Sequence, residues 1–313
     1  MAGRFSQFAV ATAKMAWDDS ALENAAVAPE LLKVSMGSTL NGQTDIAELN
    51  FQSFLKNELV SPWTSNEYSG HAATSHVAIG IGARGQTATF STACAAGLDA
   101  VAWGATAIQR GEALAVMAGA TEAPLSPFIL QVFSSVGVLS QWQGPPEEAS
   151  RPFDRLRSGL ILAEGAATVA VENEEHARAR GHSIYARILG FGSATEGKHL
   201  RKVDQSGETV ARAISMALRH ANLGPSDIVF ICAHGNSMPD YDSAETAGIK
   251  SAFGRHAWNI PVSSLKSMCG QALAASSAMQ VVNSCLVLRD QIVTPTLNYR
   301  VPDPTCDLDY VPN

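Results

Sequence analysis

The sequence has no long hydrophobic run, no excess of basic residues and no closely spaced pair of cysteines. None of the apolar stretches in its 313 residues approaches the ~20 residues that a membrane-spanning helix needs. Its 22 basic residues are outnumbered by 29 acidic ones, and the net charge of −7 disfavours contact with a phosphate backbone. The N-terminus carries Arg4, Gln7 and Lys14 in place of a signal-peptide core. We therefore expect a cytoplasmic protein that neither spans a membrane nor binds nucleic acid.

The five cysteines are odd in number and far apart, at positions 94, 232, 269, 285 and 306. Zinc sites and thioredoxin-like redox centres use Cys-x-x-Cys pairs, and the sequence contains no such pair. The histidines likewise fall at no recognised metal-binding spacing. The sequence thus predicts reduced thiols and no metal site.

Segments with helical and with strand character alternate along most of the chain, which predicts an α/β fold. The content of 46% hydrophobic residues is enough for one large domain or two coupled halves. Helices are predicted over 1–25, 72–81, 94–109, 210–221, 243–253 and 272–288. Strands are predicted over 87–91, 114–117, 168–171, 184–191, 228–232 and 261–265, and 26–70 is less regular. The midpoint between the two halves is placed just after Gly181.

Two segments of the chain resemble each other, which suggests an internal duplication. Residues 90–97 and 267–274 each combine a strand exit, a cysteine-containing turn and the start of an alanine-rich helix.

A different motif, at 80–85, matches the dinucleotide fingerprint G-x-G-x-x-G but follows a helix and precedes a strand. Phosphate binding at a helix N-terminus requires the reverse order, so no nucleotide site is predicted.

Cys94 is the candidate nucleophile, because it lies where a predicted strand ends and a small-residue helix begins. The N–H groups and positive dipole end of that helix would favour its thiolate. A buried, inert cysteine is the commoner fate of a thiol. Placement alone leaves both interpretations open.

His234 and Lys266 are the candidate partners of this nucleophile. His234 follows the predicted strand 228–232, at a sheet edge of the kind where α/β active sites gather. Lys266 follows the strand 261–265 and enters a tight turn. A lysine at an apolar strand exit needs an acidic partner, and Glu245 is the expected one. The other histidines are interpreted as surface or packing residues.

Five motifs, in order along the chain, resemble those of the β-ketoacyl synthases of the thiolase superfamily. They lie at 91–97 (Ser-Thr-Ala-Cys-Ala-Ala-Gly), 151–154 (Arg-Pro-Phe-Asp), 163–166 (Ala-Glu-Gly-Ala), 233–235 (Ala-His-Gly) and 265–270 (Leu-Lys-Ser-Met-Cys-Gly). The likeness covers essentially the whole chain. It is nearest to the elongating ketosynthases of bacterial fatty-acid and type II polyketide synthesis.

The resemblance implies a thiolase-like fold, in which two similar α/β halves stack into five layers, α-β-α-β-α. The N-terminal half would take residues 1–181 and the C-terminal half residues 182–313. Relatives have a further strand before the point where this sequence starts, and a later Gly-Phe-Gly-Gly turn. The chain is therefore expected to be truncated at both ends, with an incomplete N-terminal half.

The resemblance also implies roles and partners. Cys94 would take the acyl chain from a pantetheine thioester, His234 would assist malonyl decarboxylation and stabilise the enolate, and Lys266 would order the site electrostatically. No resident cofactor is implied, since the substrate travels on the phosphopantetheine of acyl carrier protein. Two subunits would pair through strands beside the cysteine, as a homodimer or as a heterodimer with another ketosynthase-type subunit.

The chain departs from the motifs of this family at three places near the expected site. Gln271 stands where the family has a histidine, and its amide can donate a hydrogen bond but cannot carry a proton. Asn236, Ser237 and Met238 replace Thr-x-Thr in the loop that holds pantetheine, so the substrate contacts there are expected to differ. Leu160 replaces a phenylalanine that packs near the cysteine, which predicts a reshaped acyl pocket.

Three hypotheses about function follow. The leading one is decarboxylative condensation of an acyl thioester on Cys94 with malonyl-acyl carrier protein. An alternative keeps Cys94 and His234 but passes the acyl chain to another acceptor, as a non-condensing or ester-forming transferase. A third makes the chain a non-catalytic partner comparable to the chain-length factors, which usually lack the cysteine.

Overall fold

The computed structural model describes residues 2–41, 45–200 and 202–312, and for Asp45 and Leu49 it describes the backbone only. The chain divides into two compact units. The first unit is formed by Met1–Val132, Leu162–Ala186 and Ala272–Cys285, and the second by Phe133–Ile161, Arg187–Gln271 and Leu286–Asn313. Each unit thus combines segments from both sequence halves. The boundary predicted between 181 and 182 stays a prediction.

Helices and strands alternate along the described residues, as the sequence predicted. The helices are α1 Arg4–Ser20, α2 Asp45–Leu55, α3 Thr64–Tyr68, α4 Ala72–Ile81, α5 Ala96–Gln109, α6 Pro127–Ser135, α7 Glu174–Ala179, α8 Glu208–Ala221, α9 Pro239–Phe253, α10 Lys266–Cys269 and α11 Ala275–Asp290. The strands are β1 Leu32–Gly37, β2 Thr87–Phe90, β3 Ala115–Glu122, β4 Gly165–Glu172, β5 Ile231–Cys232 and β6 Val262–Ser263. None of the described helices is both long and apolar enough to cross a membrane.

The first unit contains a four-stranded sheet with the strand order β2-β1-β3-β4. β1 pairs in parallel with both of its neighbours, with Gly37 opposite Phe90 on one side and Ala120 on the other, whereas β4 runs antiparallel to β3. β1 lies within the region that the sequence had suggested to be irregular. The strand was missed because Lys33 interrupts its apolar pattern, although Lys33 is buried and its ammonium lies 3.2 Å from a carboxylate oxygen of Glu112.

Helices cover both faces of this sheet. α1 and α4 pack on one face, where Phe5, Val34 and Met117 share a core. α5 packs on the other face, where Val101 meets Val116. All eight residues of β3 are buried, which is typical of a strand covered on both sides and explains its apolar run from Ala115 to Ala120.

The β-branched and aromatic residues of 87–91 indicate a buried strand. This prediction is wrong, because β2 is not buried. It is an edge strand of the sheet, and it exposes Thr87 and Thr89 while Ala88 and Phe90 are half-buried. β-branched and aromatic residues favour strands in general, so they do not tell an edge strand from a central one.

The second unit contains the parallel pair β5 and β6, against which α9 packs through Ile249 and Val262. α8 and α9 approach each other at Gly207 and Gly248, because a Cβ on Gly207 would collide with the backbone nitrogen of Gly248. The same core stacks the rings of Phe153 and Tyr310 at a centroid distance of 4.0 Å. These contacts build the core of the second unit beside β5 and β6.

The segment 184–191 was predicted to be a strand, but the structure assigns no strand to it although all of its residues are described. Residues 187–192 run along α8 instead. A Cβ on Gly190 would lie 2.6 Å from the backbone nitrogen of Ala221, and a Cβ on Gly192 would collide with the carbonyl oxygen of Ala213. The residue pattern of 184–191 indicated a strand, but residues 187–192 lie beside a helix and not beside another strand.

Candidate functional site

Cys94 lies in a tight turn between an edge strand and a buried helix of the first unit. β2 ends at Phe90, a short 3₁₀ helix takes Ala93–Ala95, and α5 begins at Ala96. Ala93 has a φ of 53°, a left-handed conformation that is uncommon for a residue with a Cβ, and the thiol that follows is half-buried. The first N–H groups of a helix have no intrahelical acceptor, so this position favours negative charge.

The turn that contains Cys94, between β2 and α5, is called the cysteine turn below. Glycines let the backbone around this turn pack tightly against its neighbours. A Cβ on Gly37 would lie 2.6 Å from the carbonyl carbon of Ala96, so β1 fits the start of α5 only where it has no side chain. A Cβ on Gly97 would lie 2.7 Å from the backbone nitrogen of Ala278 and 2.7 Å from Oγ of Ser277. The small residues at the start of α5 indicate a helix that can approach neighbouring backbone closely, and these contacts show that approach beside the nucleophile candidate.

His234 follows β5 in the second unit, and its main chain is held from two sides. Its N–H donates to Oε1 of Glu245 at 2.7 Å, and the N–H of Gly235 donates to Oε2 at 2.8 Å. Its carbonyl oxygen accepts a hydrogen bond from Nζ of Lys266 at 2.6 Å. Burial and, to a lesser degree, the Lys266 ammonium lower the pKa of His234 to about 3, so the ring is neutral at physiological pH.

Lys266 and Glu245, which the sequence paired with each other, both act on the backbone of His234. Lys266 begins α10 and is only 2% exposed. Burial raises the pKa of Glu245, while its two N–H donors and the Lys266 charge oppose that rise. The two side chains hold opposite ends of the same residue. A direct ion pair between them stays a prediction.

The loop after His234 is held by its own polar side chains. Nδ2 of Asn236 donates to Nε2 of His234 at 3.1 Å, and Oδ1 of Asn236 accepts from the N–H of Met238 at 3.0 Å. Oγ of Ser237 accepts from the N–H of Arg151 at 2.8 Å. Asn236 and Ser237 are buried and Met238 is half-buried. The predicted substrate contacts of these three residues stay predictions.

Leu160 and Gln271, two positions where the chain departs from the family, are neighbours in the second unit. Leu160 is buried, and it exchanges backbone hydrogen bonds of 2.9 Å with Val138 and Ser140. Gln271 is 2% exposed, and its N–H donates to the carbonyl oxygen of Ile161 at 2.7 Å. The segment that carries Leu160 therefore also positions the backbone of Gln271.

Sequence reasoning missed Asp242, a fully buried carboxylate on α9. Oδ1 accepts from the N–H of Asn236 at 2.9 Å, Oδ2 accepts from the N–H of Phe153 at 2.8 Å, and Nε of Arg157 lies 3.5 Å from Oδ2. Burial raises the pKa of Asp242 to about 7, although these three groups oppose the rise. Its spacing of three residues from Glu245 puts both carboxylates on one face of α9, and that spacing is the signal that could have revealed it.

The second-unit residues place a neutral imidazole next to a buried positive charge. Among the described residues, no group of three His, Cys, Asp or Glu side chains is placed to hold a metal ion. His234 offers a neutral imidazole, and Lys266 places a buried positive charge beside its carbonyl group. Such a charge stabilises an anion that develops nearby, because a buried site screens it weakly.

Two protein-family models match the chain. The model of the β-ketoacyl synthase N-terminal domain matches residues 1–177, and that of the C-terminal domain matches residues 185–300. The putative polyketide beta-ketoacyl synthase 1 of Streptomyces cyaneus is 39% identical over 318 residues, which cover 99% of this chain and 75% of that protein. The 3-oxoacyl-(acyl-carrier-protein) synthase 2 of Coxiella burnetii is also 39% identical, over 312 residues, with the same two shares.

A solved structure shows the same fold. In it, a type II polyketide synthase acyl-carrier protein is in complex with its ketosynthase bound to the hexaketide. The match has a TM-score of 0.96 at 36% identity and covers 99% of this chain and 78% of that chain. These matches confirm the resemblance and the thiolase-like α/β fold that the five motifs implied.

Proposed function

Since the chain belongs to the β-ketoacyl synthase family, we propose that Cys94 is the nucleophile of its condensing reaction in fatty-acid or type II polyketide synthesis. The observation that carries this proposal is the turn between β2 and α5, which presents a half-buried thiol at the start of a buried helix. The thiolate is the reactive form of cysteine, and the N–H groups at a helix N-terminus favour it.

The proposed reaction has two halves. In the first, Sγ of Cys94 attacks the carbonyl carbon of acyl-acyl carrier protein, a new carbon–sulfur bond forms, and the pantetheine thiol leaves with a proton. In the second, malonyl-acyl carrier protein loses carbon dioxide, and the electron pair of the broken carbon–carbon bond becomes an enolate. The enolate carbon then attacks the acyl group on Cys94, and the cysteine leaves as a thiolate. The product is a 3-oxoacyl thioester on acyl carrier protein.

We assign stabilisation of the enolate to His234 and Lys266. The buried Lys266 charge favours an anion that forms beside it, and it also holds the His234 main chain through the 2.6 Å hydrogen bond. Gln271 would supply an amide donor where the family has a histidine.

Substrate binding is proposed for the two segments in which the chain differs from the family. Met238 would contact pantetheine, from a loop whose shape Asn236 and Ser237 maintain by their internal hydrogen bonds. Leu160 would line the acyl pocket, where its side chain is smaller than phenylalanine. Both assignments concern where the substrate lies, and the nucleophile assignment does not depend on them.

Acyl carrier protein is the proposed partner that delivers both thioesters, so the enzyme would hold no cofactor of its own. The complex of acyl-carrier protein with a ketosynthase of 36% identity supports this partner. A dimer, of two copies or with a second ketosynthase-type subunit, is part of the proposal because β2 is an edge strand whose backbone groups another strand can pair. The widely spaced cysteines support the cytosol as the compartment.

A non-condensing acyl transfer is the second candidate, and Gln271 is the observation that favours it. An amide cannot carry a proton at neutral pH, so one proton-relay position of the family is lost. Release of carbon dioxide from malonyl-acyl carrier protein separates the two candidates, because only the condensing enzyme breaks that carbon–carbon bond. The presence of Cys94 argues against a purely structural partner.

Intact-protein mass spectrometry after mixing with an acyl-acyl carrier protein tests the nucleophile. We expect the wild type to gain one acyl group and Cys94→Ala to gain none. Cys269→Ala is the matched control, because it removes a thiol from the similar turn of the second unit, and it should still gain the acyl group. A folded wild type that gains no mass, or a Cys94→Ala variant that does, would overturn the proposal.

A further inference from the structure

The loop that follows His234 places an amide directly on the histidine ring. Asn236 is 4% exposed, and its Nδ2 lies 3.1 Å from Nε2 of His234. An amide nitrogen can only donate hydrogen bonds, whereas a ring nitrogen can donate or accept depending on its proton. Nε2 must therefore accept this hydrogen bond, which leaves the proton of the neutral ring on Nδ1.

The orientation of the Asn236 amide is determined by a second contact. The N–H of Met238 donates to Oδ1 of Asn236 at 3.0 Å, so the oxygen must lie on that side of the amide. A rotated amide would set its NH₂ group against the Met238 N–H and its oxygen against the ring. The backbone of Asn236 is also held, because its N–H donates to Oδ1 of Asp242 at 2.9 Å.

We propose that Asn236 is a positioning residue that selects the Nδ1–H tautomer of His234, so that Nε2 is a hydrogen-bond acceptor in the resting enzyme. The inference rests on the proposed function only in that His234 acts on the malonyl group. A hydrogen bond from Nε2 to an enolate oxygen then requires the proton to change nitrogen and the Asn236 amide to give way. Asn236 thereby controls when the ring can donate from Nε2.

The charged groups around the ring agree with this assignment. Glu245 accepts from the N–H of His234 and Lys266 donates to its carbonyl oxygen, so neither of these contacts places a carboxylate on Nε2. A doubly protonated ring would set an N–H against the Asn236 NH₂ group. Burial and the Lys266 ammonium lower the pKa of His234 to about 3, and repulsion from the amide acts in the same direction.

The residue type matters, because the family has threonine at this place. A threonine hydroxyl can donate or accept, so it leaves the tautomer of the histidine open. An aspartate, which has the shape of asparagine, can only accept when ionised and would select the opposite tautomer. Asn236→Thr and Asn236→Asp therefore separate the hydrogen-bonding character of the side chain from its size.

Nitrogen NMR of the full-length protein with ¹⁵N-labelled histidine tests the proposal without substrate. We expect a protonated Nδ1 and an unprotonated Nε2 for His234 in the wild type, with its signals identified by their loss in His234→Gln. Asn236→Asp should move the proton to Nε2 and raise the pKa of His234, by roughly 1–2 units for a carboxylate beside the ring. Asn222→Asp, the same change at the exposed end of α8, should alter neither signal.

A wild-type spectrum with a protonated Nε2 would overturn the proposal, and so would an unchanged tautomer in a folded Asn236→Asp variant. If Asn236→Asp does not fold, the wild-type spectrum and Asn236→Thr still decide the question. The threonine variant should show a mixture of the two tautomers. An enzyme that fails to condense but shows the expected spectrum would contradict the proposed function and leave the tautomer assignment in place.

Discussion

The cysteine turn of the first unit and the lysine turn of the second unit share one design and differ in what they expose. Each follows a strand and passes through a short helical segment, Ala93–Ala95 in one case and Lys266–Cys269 in the other. The first turn leaves Cys94 half-buried, whereas the second buries Lys266 to 2% exposure. In the first turn the residue with a positive φ, Ala93, comes directly before Cys94. In the second turn the residue with a positive φ, Gly270, comes after Lys266.

Each turn contains a cysteine, and the two thiols differ in character. Cys94 precedes the 14-residue helix α5. Cys269 ends the four-residue helix α10, its Sγ donates to the carbonyl oxygen of Leu265 at 3.3 Å, and burial raises its pKa. A strand–turn–helix pattern is common to both thiols and so does not distinguish them. We expect the position of the cysteine relative to the helix start to decide its reactivity.

The largest expected effect comes from exchanging Cys94, the proposed nucleophile. Cys94→Ala should lower the formation of 3-oxoacyl product by at least ~10³-fold, because no other group can carry the acyl chain. Cys269→Ala should leave product formation within about threefold of the wild type, since its thiol is protonated and hydrogen-bonded. Steady-state turnover with acyl- and malonyl-acyl carrier protein measures both. Comparable losses in the two variants would remove the distinction between the turns.

The charge of the lysine turn gives the next largest effect. Lys266→Met should lower carbon dioxide release from malonyl-acyl carrier protein by about 10²-fold, the loss typical of one buried electrostatic contact to a developing anion. The rate of acyl transfer to Cys94 should change far less. The control is Lys250→Met. It removes a lysine of α9 that pairs with Asp307, and it should leave both rates unchanged. An equal loss in acyl transfer would indicate a general structural role for Lys266.

The packing of the cysteine turn predicts a difference in stability between two helical glycines. Gly97→Ala places a Cβ 2.7 Å from the Ala278 nitrogen and should lower the free energy of unfolding by about 1–3 kcal/mol, the usual cost of overpacking. Gly80→Ala, in α4, meets no atom within 4 Å and should raise that free energy by about 0.5–1 kcal/mol. Urea unfolding of both variants measures the two values. A neutral Gly97→Ala would show that α5 can move away from α11.

The pH dependence of the free energy of unfolding depends on the protonation of His234, whose carbonyl oxygen accepts a hydrogen bond from Lys266. The folded pKa of His234, about 3, lies below the ordinary value of 6.5, so the unfolded chain binds a proton that the folded chain does not. Stability from this group is thus fully present above pH 6.5 and falls as the pH drops towards 3. Between pH 7.5 and 5.0 the wild type should lose up to about 2 kcal/mol more than His234→Gln, measured by urea unfolding. Equal losses would mean that the ring takes up a proton in the folded state.

The smallest effect concerns the left-handed residue before the nucleophile. Ala93→Gly should change the free energy of unfolding by less than about 0.5 kcal/mol, because glycine adopts the φ of 53° without strain while loosening the unfolded chain. Ala102→Gly, in the middle of α5, should cost about 1 kcal/mol. Thermal unfolding of both proteins tests this, and equal costs would show that the turn at Ala93 carries no strain.

Much of the fold could be predicted, and candidate site residues could be proposed, because the signals are local. Cys94, His234 and Lys266 each follow a strand, and a strand exit can be recognised from a few consecutive residues. β1 and the buried Asp242 were missed because what buries them is distant in sequence. Lys33 hides the apolar pattern of β1, and its burial depends on Glu112, 79 residues away. A single sequence shows such a pair only as two ordinary charged residues.

The hydrogen bond between Nδ2 of Asn236 and the ring of His234 was beyond sequence reasoning for a different reason. The residues are two apart, but the contact depends on the backbone of the residue between them, Gly235, which has a φ of 31°. The sequence shows that asparagine replaces threonine at this position. It does not show that the Asn236 amide points towards the His234 ring. Local backbone conformation, more than distance in sequence, limited the prediction there.

The carboxylate of Asp242 has a consequence for the order in which the chain folds. It joins the N–H of Phe153 to the loop of His234 across 89 residues. Closing so long a loop costs chain entropy before any contact rewards it, and contacts of this kind form slowly. The His234 loop should therefore be among the last parts of the second unit to protect its amide hydrogens from exchange during refolding, well after α8 and α9 have formed.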